Sequence, residues 1–131
     1  MTFNLKLVMA ATFMVVMATN AKADSQYDKC MQEAGSNYDF GICGGAWIAR
    51  EDAKLNATWK KLYDVAQGQT KKDLLAEQRL WITFRQSACA FYANGDWGRE
   101  GRVIQAAACQ ATVIANRTKD LDGYLQSLTK Q

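Results

Sequence analysis

The sequence predicts an all-α fold, an antiparallel helical hairpin with a short N-terminal helix and a third long helix, stapled by two disulfides. Three observations carry that expectation. Apolar residues recur every three or four positions through most of the chain, strand-type alternation is absent, and no proline interrupts the 131 residues. Four cysteines, Cys30, Cys43, Cys89 and Cys109, form an even set in a chain that carries an export signal.

That signal occupies residues 1–23. Lys6 gives the charged start, an apolar run extends over residues 7–18, and Ala21-Lys22-Ala23 is an A-x-A cleavage site. The apolar run is short for a membrane span, and no cysteine directly follows the cut, so the lipobox of a lipid-anchored protein is missing. A periplasmic or secreted protein with no membrane attachment after cleavage is expected. The remaining residues, 24–131, fit a single domain. They carry 14 basic and 13 acidic residues, a net charge of +1, because Lys6 and Lys22 leave with the signal. Nucleic-acid binding therefore lacks its usual electrostatic footprint.

Within the mature chain, Ser25-Gln26-Tyr27-Asp28 has capping-box spacing and opens a short helix carrying Tyr27, Cys30, Met31 and Ala34, with Gly35 as its stop. Residues 36–45 hold three glycines around Cys43 and read as a turn-rich connection. From 46 to 67 nothing breaks the helix, and Ile48, Asp52, Leu55, Trp59, Leu62 and Ala66 form one stripe. Gly68 ends it, and Thr70-Lys71-Lys72-Asp73 launches the next helix, 71–92, after a tight turn that makes the two antiparallel neighbours. On this helix Leu74, Leu75, Gln78, Trp81, Ile82, Arg85, Ala88, Cys89 and Tyr92 share a face, so Gln78 and Arg85 turn inward and need partners. Residues at equal distance from the turn lie level, and their numbers sum to about 137. Asp52 then stands opposite Arg85, and a structural ion pair is expected there.

Residues 93–102, with Gly95, Gly98 and Gly101, read as a loop of about ten residues. The last helix is expected over 103–122, with Ile104, Ala107, Ala108, Ala111, Ile114, Thr118 and Leu121 facing one way, Gly123 ending it and the tail fraying.

The run Gln78-Arg79-x-Trp81-x-x-Phe84-Arg85-x-x-x-Cys89 resembles the signature of the LprI-like family, small exported bacterial domains named after a lysozyme inhibitor. The resemblance extends to Cys43, Asp52, Leu55-Asn56, Leu62, Cys109 and the Thr112, Arg117 and Leu121 region. Trp59 departs from it, standing where the family usually has Tyr, which removes a phenolic hydroxyl from the core. Of the three formally possible disulfide pairings, the resemblance favours Cys30 with Cys43 and Cys89 with Cys109. Both are also local links across glycine-bearing turns.

The residues themselves argue against an enzyme. The chain contains no histidine, which removes the Ser-His and Cys-His nucleophile arrangements, and no C-x-x-C, P-loop or dinucleotide fingerprint is present. Glu51 and Asp52 point about 100° apart on a helix and do not flank one bond. No metal and no cofactor are expected. Trp97, between Gly95 and Gly98, is the candidate contact residue for a protein partner, with Arg99 and Arg102 beside it to meet acidic groups. The competing and favoured expectation for Trp97 is a lid folded back over the hairpin core. The resemblance implies an inhibitor whose partner is a lysozyme. The alternative is a periplasmic interaction or assembly module with a different partner, which the near-neutral charge keeps in play.

Overall fold

The computed structural model describes residues 24–130, all of them in helices and short connections; the expected signal segment, 1–23, lies outside the described residues. In chain order the elements are α1 (Ser25–Glu33), α2 (Asn37–Val65), α3 (Gly68–Ala88), the single turn α4 (Ala90–Ala93), a 3-10 turn (Gly95–Trp97) and α5 (Gly98–Thr129). Both disulfides, Cys30–Cys43 and Cys89–Cys109, are formed.

The starts of α1 and α2 follow side-chain capping, that of α1 one residue earlier than the Ser25 box predicts. Asp24 caps α1, its carboxylate accepting from the N–H groups of Gln26 and Tyr27. Ser36 caps α2, with Oγ accepting from the N–H of Asp39 at 3.2 Å and donating to its carboxylate at 2.7 Å. Helix α2 therefore begins inside the expected 36–45 connection and runs straight through Gly41, Gly44 and Gly45. The reason is helix packing. A Cβ on Gly44 would lie 2.6 Å from Cβ of Ala107, so glycine at this position lets α2 and α5 approach closely.

Those two helices form the tightest pair, and they run parallel. Gly41 lies against Val103, Gly44 against Ala107, and Thr58 Oγ1 donates to Asp122 Oδ1 at 3.2 Å, so sequence number rises together on both. Helix α3 returns antiparallel to both, giving an up-down-up bundle. Gly68, with φ of +56°, makes the turn between α2 and α3, and α3 starts there instead of at Lys71. Thr70 does not cap it; Gln69 instead donates to Asp73 at 2.8 Å within the first turn.

Three further expectations change. Helix α3 stops at Ala88 and only one more turn, α4, follows Cys89. The ten-residue loop shrinks to a 3-10 turn, because α5 already begins at Gly98. Gly123 lies inside α5, which continues to Thr129 because Leu125 and Leu128 still have apolar neighbours to pack against. Ile82, expected opposite Leu55, stays 46% exposed, while Leu55 packs with Leu62, Ala66, Leu74, Ile114 and Leu121. That core lies toward the end where α2 turns into α3. Ile48, Trp59, Tyr63 and Trp81 flank it, and Trp59 stacks on Tyr63 at 5.5 Å between centroids.

Candidate partner-binding site

The opposite end of the bundle carries both disulfides and the exposed rings. Helix α3 delivers Cys89 to Cys109 on α5, and the short segment between them folds as α4 and the 3-10 turn. Asn94 sets the corner, with its side-chain oxygen accepting from the N–H of Asp96 at 2.9 Å and its amide donating to the carbonyl of Phe91. On this frame Phe91, Tyr92 and Trp97 hold one another, with centroids 5.1 Å apart for Phe91–Tyr92 and Phe91–Trp97 and 5.6 Å for Tyr92–Trp97.

Trp97 consequently does not close over the core. Its ring leans on Phe91 and Tyr92 and remains 45% exposed, and Phe91 is 62% exposed. The lid expectation places it over the hairpin core, whereas its ring neighbours are Phe91 and Tyr92 and it is not among the residues packed against that core. Arg99 and Arg102 lie exposed on the first turns of α5; Arg102 donates through Nε to the carbonyl of Gly98 at 3.2 Å. Tyr38 and Ile42 on the first turns of α2 are exposed as well, and the parallel pairing of Gly41 with Val103 brings them to the same end. Lone exposed apolar residues are ordinary, but a cluster of rings held by a disulfide-closed segment is a candidate for a preorganised contact surface.

Two arginines lie behind this surface. Arg85 and Asp52 meet through two contacts, Nη1 to Oδ1 at 2.7 Å and Nη2 to Oδ2 at 2.8 Å, a bidentate geometry between side chains each about 30% exposed. The second arginine, Arg117 on α5, is only 5% exposed. Its Nε donates to Gln78 Oε1 at 3.0 Å and its Nη1 to Glu77, which also accepts from the phenol of Tyr124. Among the described residues, Nη2 of Arg117 has no hydrogen-bond partner. Trp81 lies between the two guanidinium groups, 5.8 Å from that of Arg85 and 6.0 Å from that of Arg117. Burial holds the Tyr124 phenol above its ordinary pKa, with the nearby Glu77 carboxylate adding to the effect.

Arg117 is not among the residues expected on the inward stripe of the last helix, which includes Thr118 instead. It falls three positions after Ile114 and four before Leu121 on the inward stripe of α5, the same signal that marked Arg85. It supplies the partner that Gln78 required. Among the described residues no group of three potential metal-ligating side chains is assembled, and no helix is long and apolar enough to cross a membrane.

Comparison with known proteins adds one finding. A family model described as lysozyme inhibitor LprI matches residues 27–121, from α1 to the last third of α5. No curated protein and no solved structure gives a match.

Proposed function

The chain belongs to the LprI lysozyme-inhibitor family, and from that premise we propose that it is an exported, non-catalytic protein that binds a lysozyme and protects peptidoglycan from it. The observation that carries the reading is the exposed ring cluster of Phe91 and Trp97 on a segment pinned by Cys89–Cys109. A muramidase cleft binds sugar rings and holds a pair of carboxylates across the scissile bond. Aromatic faces occupy such ring subsites, and Arg99 and Arg102 supply the cations that those carboxylates attract.

The near-neutral mature chain offers little long-range steering toward a basic enzyme. Recognition then rests on local fit, so the association rate should depend only weakly on ionic strength. Purified protein mixed with lysozymes of several classes, with wall lysis followed by turbidity, tests the function. Inhibition of at least one class at near-stoichiometric ratio is expected; no inhibition of any class would favour the assembly-module alternative. Export itself is checked by intact mass and N-terminal sequencing of the released form, which should begin at Asp24. A retained Met1 or a lipid adduct would contradict the cleavage reading.

A further inference from the structure

A second concavity lies away from the ring cluster, between α2, α5 and the start of α1. Its volume is about 680 Å³, within the range of roughly 300–1,000 Å³ usual for small-molecule sites; most of its lining residues are polar or charged types, while apolar atoms make up the larger part of the wall. Helix α2 contributes Trp47, Glu51 and Lys54, and α5 faces them with Thr112, Asn116 and Lys119. The Asp24–Arg50 ion pair, at 2.7 Å, closes the end where α1 begins.

Glu51 distinguishes this groove from an ordinary solvated crease. Its side chain is only 9% exposed, yet among the described residues its carboxylate has one hydrogen-bond partner, the amine of Lys54 at 2.8 Å, and that lysine is itself 60% exposed. A buried carboxylate has acceptor capacity for several donors, and here the groove is where further donors can enter. Trp47, already packed on Tyr27 at 4.5 Å between centroids, adds an aromatic wall. Asn116 offers both an amide donor and an acceptor, and Lys54 and Lys119 place cations on opposite sides.

We propose that this groove binds an aminosugar glycan bearing a carboxylate, with sugar hydroxyl and acetamido N–H groups donating to Glu51 and Asn116 and the ligand carboxylate meeting Lys119. A saccharide matches the site because it brings many hydroxyl donors and an apolar ring face for the tryptophan. The choice of muramyl glycan among carboxylated saccharides rests on the proposed role at the cell wall. The site would keep the inhibitor on the polymer that its target attacks.

The test uses two probes on the purified protein without lysozyme, followed by amide and indole NMR shifts. One is the disaccharide of N-acetylglucosamine and N-acetylmuramic acid, which has the carboxylate, and the other is the N-acetylglucosamine tetramer, which lacks it. The muramyl sugar should shift Trp47, Thr112, Asn116 and Lys119 and bind at least ten-fold more tightly than the tetramer. Lys119→Glu, a change at an exposed position, should remove that preference, and Glu51→Gln should weaken the muramyl sugar while a thermal melt confirms folding. Absence of binding, shifts centred elsewhere, or equal affinity for the two sugars would each overturn the proposal. Since neither titration contains lysozyme, failure here leaves the inhibitor reading standing, and loss of inhibition alone leaves the groove standing.

Discussion

The two ends of this bundle are stabilised by different means. At the turn end, Leu62, Ile114 and Leu121 are fully buried and α2 passes into α3 over two residues. At the other end α2 and α5 still meet closely at Gly44 and Ala107, but large apolar rings are exposed, and Cys30–Cys43 and Cys89–Cys109 tie the chain together. A chain of this size has limited apolar surface to bury, and the covalent links let one end hold together on small buried residues such as Cys43, Cys89, Ala106 and Ala111. Phe91 and Trp97 are thereby left exposed instead of packed, as a contact role would require. On the proposed function, the difference teaches that stability and recognition are spatially separated here, and predicts that mutation separates them.

The largest effect expected is at the turn end. Leu62→Ala removes a side chain that is 1% exposed and should cost about 2–5 kcal/mol in denaturant unfolding, while inhibition by the surviving folded protein is unchanged. Replacing Cys89 and Cys109 together by serine should cost about 3 kcal/mol in the chain-entropy description of a link spanning 20 residues. Unlike the core change, it should also weaken lysozyme binding, because it frees the segment that carries the rings. If binding survived intact, the staple would be serving stability alone.

Between the ends, Asp52→Asn and Arg85→Met test whether the bidentate pair joins α2 to α3. With both side chains about 30% exposed, the coupling in a double-mutant cycle should be about 1 kcal/mol, below what full burial would give. A coupling of zero would remove the pair from the account of the hairpin. The smallest effect concerns pH. The hydrogen bond from Arg50 holds the Asp24 carboxyl below its ordinary 3.8, outweighing the opposing effect of burial. A carboxyl whose folded pKa is depressed contributes stability that is complete above the unfolded value and disappears as pH falls through the folded one. Melting temperature should therefore drop as pH falls below about 4, and Arg50→Met should flatten that part of the acid limb.

The hairpin was legible in the sequence because charges broke an otherwise apolar pattern. Asp52 and Arg85 lie on inward stripes, and counting equally from the turn sets them level; their side chains are 2.7 Å apart. What escaped notice depends on partners distant in sequence. Gly44 reads as a helix breaker until Ala107, on a helix more than sixty residues later, is known to pack against it. The continuation of α5 beyond Gly123 depends likewise on tertiary packing, which overrides the weak helix preference of a single glycine. Arg117 is missing from the expected inward stripe although it lies three positions after Ile114 and four before Leu121, and its partnership with Gln78 and Glu77 required the pairing of α3 with α5. At the candidate site, Trp97 was recognisable as a loop aromatic, whereas its support by Phe91 and Tyr92 came only from the turn that Asn94 shapes.

The separation of stability from recognition is tested most directly at Trp97. The measurement is a paired one on Trp97→Ala: the melting temperature, and the concentration needed to halve lysis by a lysozyme that the unmodified protein inhibits. The account predicts a melting temperature within about 2 °C of the original, since the residue lies outside the core, together with at least a ten-fold rise in the concentration required. A melting temperature lowered by about 10 °C with inhibition unchanged would contradict it, and would make the tryptophan a support of the fold instead of a contact.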